Sequence, residues 1–95
     1  MVIKRTVKVG NSAGLHGRPA ARFVMLAKKF DGAVIVTYGD EQANGKSMLE
    51  LIKLGVRPGR EITVELRPFN NKDQSQKYQF IYEFDSIVNH EPWEE

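Results

Sequence analysis

Hydrophobic and polar residues alternate at the start of the chain, which predicts a half-buried β-strand from Val2 to Val9. The stretch GNSAGLHG follows, and so many small residues and glycines favour a loop. From Pro19 the spacing changes, and apolar residues recur on one helical face at Ala20, Phe23, Val24, Ala27 and Phe30. A strand, a loop and a helix ending at Asp31 and Gly32 are therefore predicted in that order.

The middle of the chain predicts a hairpin and a short helix. AVIVTY is a β-branched run, GD is a turn signal, and EQAN is long enough to return as a second arm. Ser47 then precedes MLELIKLG with Glu50 three residues later, the arrangement of a capping box. Gly55 ends that helix, and EITVEL is a strand with Ile62, Val64 and Leu66 on one face.

The last element is an amphipathic helix that starts near Asp73 and carries Phe80, Ile81, Phe84, Ile87 and Val88 on one face. Residues 68–72 connect it to the preceding strand. The predicted order is βαββαβα, and its economical solution is an α+β fold with three helices on one face of a four-stranded, mostly antiparallel sheet. Residues 1–89 form this domain, and His90, taken as solvent-facing, begins an acidic tail of residues 90–95.

Composition narrows the class of protein. The 95 residues suffice for one domain, and 41% hydrophobic with 27% charged residues is typical of a globular chain. There is no cysteine, and two histidines far apart in sequence make a poor metal site, so neither a metal nor a cofactor is expected. No apolar run approaches the ~18 residues of a membrane span, so we expect a cytoplasmic protein without membrane insertion.

His16 lies at the end of the glycine-rich loop, immediately before the first predicted helix. Unpaired backbone donors and the positive end of the helix dipole should face it, together with the guanidinium of Arg18. Such an environment suits a phosphoryl group on an imidazole nitrogen. The spacing alone fits equally a surface histidine or a helix cap.

The stretch NSAGLHGRPAARFV resembles the active-site segment of the histidine-containing phosphocarrier (HPr) family of the bacterial sugar phosphotransferase system. The resemblance implies an HPr-like open-faced β-sandwich and a monomeric, stoichiometric phosphoryl carrier that is not itself an enzyme. It also implies that His16 is phosphorylated, on its pros nitrogen, by enzyme I with phosphoenolpyruvate as donor. Arg18 would then stabilise the phosphate, and sugar-specific components would receive it.

A second stretch, NGKSMLELIKLGV, resembles the family's regulatory-serine segment and stands at the expected distance from His16. Because Asn44, Lys46 and Ser47 match, the resemblance implies that Ser47 is a site for the ATP-dependent HPr kinase/phosphorylase. A phosphate there would repel acidic partners and a second phosphate nearby. On spacing alone, Ser47 is simply a good helix cap.

The resemblance also implies an apolar docking patch, formed by Ala21, Met25, Met48 and Leu49. The alternative is that Leu49, and with it Met48, belongs to the core. Leu49 and Ile52 share one helical face, whereas Met48 and Leu51 share another.

The match covers about the first 66 residues and departs from the family pattern at two glycines. Gly17 and Gly45 stand where the family usually has alanine, and each would cost about 1 kcal/mol inside a helix. We therefore expect a looser site. The stretch RPFNNKDQSQKYQF and the bulky YQFIYEF also differ from the family's usual last helix.

Two rival functions stay open at the sequence level. One is a regulatory HPr-like interaction module that acts through Ser47 phosphorylation instead of sugar transport. The other is a small nucleic-acid binder, suggested by basic residues in the first third of the chain: Lys4, Arg5, Lys8, Arg18, Arg22, Lys28 and Lys29. Interspersed acidic residues and a net charge of only +2 argue against the second, and no nucleic-acid partner is expected.

Overall fold

The computed structural model describes residues 2–69 and 75–89 and has the predicted element order. Its strands are β1 (Ile3–Lys8), β2 (Gly32–Tyr38), β3 (Glu41–Asn44) and β4 (Glu61–Pro68). Its helices are α1 (Gly17–Lys29), α2 (Met48–Lys53) and α3 (Ser75–Asn89). The α+β prediction is confirmed. The predicted tail with His90, and the predicted helix start at Asp73, lie outside the described residues.

The sheet has the strand order β1-β4-β2-β3, and all of its pairings are antiparallel. β4 lies between β1 and β2, while β3 forms an edge hairpin with β2. The predicted end of β4 at Leu66 is wrong by two residues, because Arg67 and Pro68 still pair with Ala33 and Gly32. This longer strand extends the β2–β4 ladder to the first residue of β2.

The core lies between the sheet and the helices, where the predicted periodicities meet. Ile62, Val64 and Leu66 are buried on β4, as predicted, and Val34 and Val36 are buried on β2. The predicted face of α1 is buried as well, and the ring of Phe23 lies 5.9 Å from that of Phe80 and 5.5 Å from that of Phe84. Edge-on aromatic packing of this kind adds to the stabilisation from burial. The bulky α3 is therefore accommodated by aromatic contacts with α1.

Charged residues of β1 and β4 form ion pairs on both faces of the sheet. The guanidinium of Arg5 on β1 donates to both carboxylate oxygens of Asp85 on α3, at 3.2 and 2.6 Å. On the opposite sheet face, Glu65 is only 9% exposed, accepts from Arg67, and lies 3.5 Å from the Lys4 ammonium. Its hydrogen bond with Arg67, reinforced by the charges of Arg67 and Lys4, holds the pKa of the Glu65 carboxyl below its usual range.

Candidate functional site

The segment that leads to His16, residues 10–16, is called the His16 loop here, and its first half is bound to the end of α3. The carbonyl of Val88 accepts the backbone N–H groups of Gly10 and Asn11, both at 3.1 Å. It also accepts the side-chain Nδ2 of Asn11 at 2.9 Å. The Oδ1 of Asn11 in turn accepts the N–H of Ala13 at 2.9 Å. A carbonyl that α3 leaves without a helical donor is thus satisfied by the loop.

The second half of the His16 loop is bound to the segment that follows α2. Leu15 is fully buried, and its N–H donates to the carbonyl of Val56 at 3.2 Å. Gly14 has a φ of +74°, and a β-carbon on it would lie 2.4 Å from the Val56 oxygen. This close approach and this backbone conformation both require glycine. The residue just before His16 is therefore fixed by contacts outside the loop.

His16 is the N-cap of α1, with extended backbone angles of φ −134° and ψ 163°. It is half-buried, and its side chain forms no capping hydrogen bond. The first N–H groups of a helix have no intrahelical acceptor, and the dipole adds partial positive charge there. Arg18 is exposed in the same first turn. The imidazole and a permanent cation therefore flank the donor-rich end of α1.

Gly17 begins α1 with a φ of +55°, and a β-carbon there would meet no atom within 4 Å. The expected cost of a glycine inside a helix therefore does not apply, because this residue has a left-handed conformation that glycine adopts readily. The structure gives a physical reason for glycine at this position. The expectation of a looser site stays a prediction at this residue.

Ser47 is the N-cap of α2, and its Oγ accepts the N–H of Glu50 at 3.3 Å. The other half of the predicted capping box is wrong. The Glu50 carboxylate reaches past Ser47 and accepts the N–H of Asn44 at 3.0 Å, while the Ser47 N–H donates to the Asn44 carbonyl at 3.0 Å. Glu50 thus accepts a hydrogen bond from the backbone N–H of Asn44 on the edge strand β3.

Gly45 precedes Ser47 in a turn that packs tightly. A β-carbon on Gly45 would lie 2.6 Å from Cγ1 of Val34 and 3.0 Å from Cε1 of Phe23. The next residue, Lys46, donates through Nζ to the carbonyl of Phe30, the C-cap of α1, at 2.8 Å. The predicted looseness at Gly45 is therefore wrong, since the Phe23 ring and Val34 occupy the space that an alanine methyl would need.

The four residues that the resemblance assigns to the apolar docking patch lie on α1 and α2, which pack against each other. Met25 and Leu49 are 65% and 64% exposed, and Ala21 is exposed as well. Met48 is half-buried against the core. The alternative that Leu49 is a core residue is wrong, because Leu49 is exposed whereas Leu51 is fully buried.

The basic residues that suggested nucleic-acid binding are divided among different surfaces. Lys4 and Arg5 point to opposite faces of the sheet and pair with Glu65 and Asp85. The remaining basic residues of that group lie at the end of β1 and along α1. The seven basic residues therefore do not all lie on one face of the molecule.

Within residues 2–69 and 75–89, no helix combines the length and apolar character of a membrane span. The same residues contain no group of three or more potential metal ligands.

Comparisons with known proteins give the family. The family model described as "PTS HPr component phosphorylation site" matches residues 3–77. The phosphocarrier protein HPr of Vibrio cholerae is 39% identical over 61 residues, which are 64% of this chain and 72% of that protein. The multiphosphoryl transfer protein of Xanthomonas campestris is 42% identical over 55 residues, which are 58% of this chain but only 7% of that much longer protein.

Solved structures of HPr proteins share the fold of this chain. HPr-C-His from Thermoanaerobacter tengcongensis superposes with a TM-score of 0.77 at 27% identity, over 90% of this chain and 94% of that one. The fold, the family model and the relatives define one class of protein. The chain belongs to the HPr family, the phosphocarriers of the phosphotransferase system.

Proposed function

We propose that this protein accepts a phosphoryl group on His16 from enzyme I, which is charged by phosphoenolpyruvate, and passes it to a sugar-specific component. The observation that carries the proposal is the start of α1, where His16 occupies the cap position without using its imidazole as a cap. The first-turn donors and the Arg18 guanidinium supply positive charge for a phosphate there. We expect the protein to act as a monomer in the cytoplasm.

The proposed chemistry is a reversible exchange of one bond for another. The lone pair of the pros nitrogen of His16 attacks phosphorus, a P–N bond forms, and the bond between phosphorus and the donor group of enzyme I breaks. In the second step a nucleophile of the next acceptor forms a bond to the same phosphorus, the P–N bond breaks, and its electron pair returns to the pros nitrogen of His16. Phosphoryl transfer depends mainly on in-line positioning and charge stabilisation, so no metal ligand is required of this chain.

Partner recognition is proposed to use the apolar docking patch and the charges around it. The charged residues of α1 are all basic: Arg18, Arg22, Lys28 and Lys29. Exposed Met25 and Leu49 offer apolar area beside them. An acidic partner surface with an apolar centre fits this combination, because opposite charges accelerate encounter while the buried centre supplies affinity.

Regulation at Ser47 by an HPr kinase/phosphorylase is the finer part of the proposal. Ser47 is half-buried at the surface, and the next residue but one, Leu49, is exposed in the docking patch. A phosphate of about −2 charge at this position would face the same acidic partners that the basic α1 attracts. Phosphorylation of Ser47 would thereby oppose docking at His16.

The test is intact-mass measurement after incubation with enzyme I, magnesium and phosphoenolpyruvate, with and without brief acid treatment. We expect a gain of one phosphate that acid removes, because phosphohistidine is acid-labile whereas phosphoserine survives. Absence of any gain with a cognate enzyme I would contradict the carrier role. It would favour the rival function, a regulatory module that acts through Ser47.

A further inference from the structure

Asn11 is a polar side chain at the base of the His16 loop, and it is only 1% exposed. Its side-chain amide forms two hydrogen bonds, one as a donor and one as an acceptor. Nδ2 donates to the Val88 carbonyl at 2.9 Å, and Oδ1 accepts the Ala13 N–H at 2.9 Å. An asparagine amide supplies a donor and an acceptor together, whereas an ionised aspartate supplies acceptors alone.

The two bonds join a distant helix to the middle of the loop. Val88 lies in the last turn of α3, and 77 positions separate it from Asn11 in the chain. Ala13 lies on the far side of Asn11, toward His16, so the amide bridges from the helix end to the loop interior. The Leu15–Val56 hydrogen bond then fixes the residue next to His16. The path from Asn11 to His16 is therefore held at both of its ends.

We propose that Asn11 is a positioning residue for phosphoryl transfer at His16, acting by fixing the His16 loop to the C-terminal end of α3. The inference rests on the proposed function of His16. Asn11 is buried, so it does not form part of the docking patch and acts only through the loop. Phosphoryl transfer is sensitive to such placement, because an error of about 1 Å can reduce a rate about 100-fold.

The experiment compares wild type with Asn11→Ala and Asn11→Asp in single-turnover transfer from phosphorylated enzyme I, over a range of carrier concentrations. For Asn11→Ala we expect the maximal rate to fall about tenfold or more, with the half-saturating concentration within about twofold of wild type. Asn11→Asp keeps the acceptor for Ala13 but loses the donor for Val88. Because the buried carboxylate oxygen that replaces this donor would face the Val88 carbonyl oxygen, its maximal rate should fall at least as far as that of Asn11→Ala.

The matched control is Arg5→Met, which removes the ion pair between β1 and Asp85 and so loosens α3 without touching the His16 loop. We expect its maximal rate to stay close to wild type. An equal loss in Arg5→Met and Asn11→Ala would overturn the inference, since general loosening of α3 would then explain both. An unchanged maximal rate in Asn11→Ala, or a change confined to half-saturation, would also overturn it.

Amide hydrogen exchange separates this inference from the proposed function. In Asn11→Ala the N–H groups of Ala13 and Leu15 should exchange at least about tenfold faster than in wild type, while the β2–β4 ladder keeps its protection. This readout needs no phosphoryl donor, so it is informative even if wild type fails to accept phosphate. Unchanged exchange in the His16 loop would overturn the role of Asn11 whatever the labelling shows.

Discussion

The two helix starts that carry the candidate phosphorylation sites are capped in opposite ways. At α2, the Ser47 hydroxyl accepts the Glu50 N–H, and the Glu50 carboxylate in turn accepts from Asn44. At α1, His16 occupies the same cap position, but its side chain accepts no hydrogen bond from the helix. One start thus has a side-chain cap, whereas the other leaves its imidazole without a capping hydrogen bond.

The groups that position the two residues also differ. The His16 loop is held by α3 and by the segment after α2, so His16 is positioned by groups other than its own ring. Ser47 is positioned partly by its own hydroxyl. We therefore expect removal of the His16 imidazole to affect transfer and removal of the Ser47 hydroxyl to affect stability.

The largest expected effect is complete loss of labelling in His16→Ala. No other group of the chain is proposed to accept phosphate from enzyme I, and the lost ring makes no capping bond, so folding should stay intact. Intact-mass measurement with phosphoenolpyruvate and enzyme I, alongside circular dichroism, checks both points. Full acid-labile labelling of His16→Ala would move the phosphoacceptor elsewhere.

Next in size is slower labelling of His16 in Ser47→Asp, by several-fold. Aspartate caps a helix as well as serine does, so the fold should be kept while a negative charge is added beside the docking patch. Ser47→Asn is the matched control, because it caps without charge and should label at the wild-type rate. Equal rates for the aspartate and asparagine variants would argue against regulation at Ser47.

The glycines beside the two starts should respond to alanine for different reasons. Gly45→Ala should lower the free energy of unfolding by about 1–3 kcal/mol, because the new methyl meets Val34 and Phe23. Gly17→Ala should lower it by about 1 kcal/mol through its left-handed backbone alone. Urea unfolding measures both.

A second substitution distinguishes the two causes. In a Val34→Ala background, Gly45→Ala should cost less than in wild type, because space for the methyl has been made, whereas the cost of Gly17→Ala should not change. Equal costs of Gly45→Ala in both backgrounds would show that the contact with Val34 is not the cause.

A smaller effect concerns the caps themselves. Ser47→Ala should lower the free energy of unfolding by about 1 kcal/mol, because the Glu50 N–H loses its acceptor. His16→Ala should change it by less than about 0.5 kcal/mol, because no capping bond is lost. A similar loss in both variants, measured by denaturant unfolding, would contradict the difference between the two starts.

Much of the fold was predictable because its signals are local. The alternation in β1 and β4 and the spacing in α1 and α3 each indicate which face is buried, and those faces meet in one core. The GD turn likewise identifies the hairpin from neighbouring residues alone. His16 and Ser47 were found through sequence motifs, and their cap positions through the residues that follow.

Several features that sequence analysis missed are contacts that the local sequence pattern does not specify. Asn11 reads as one more small polar residue of a loop until Val88 is known to lie beside it. Its only local signal is the tendency of asparagine to bond a backbone N–H two residues on. Gly45 looks destabilising until Phe23 and Val34 are found to fill its space, and Glu50 points to Ser47 in sequence but to Asn44 in the structure.

The smallest expected effect is a loss of unfolding free energy at acidic pH. It tests whether the sheet keeps its stability over the pH range in which the His16 and Ser47 variants are compared. Because Arg67 and Lys4 lower the pKa of Glu65 in the folded state, the stabilisation from its carboxylate is complete above the usual glutamate pKa of about 4.3. That stabilisation is lost as the pH falls through the lower, folded pKa. The difference in unfolding free energy between wild type and Glu65→Gln should therefore be constant from about pH 8 to about pH 5 and shrink toward about pH 3.

A difference that changed between neutral pH and about pH 5 would mean that the Glu65 pair already titrates there. Labelling rates measured across that range would then report on the sheet as well as on His16.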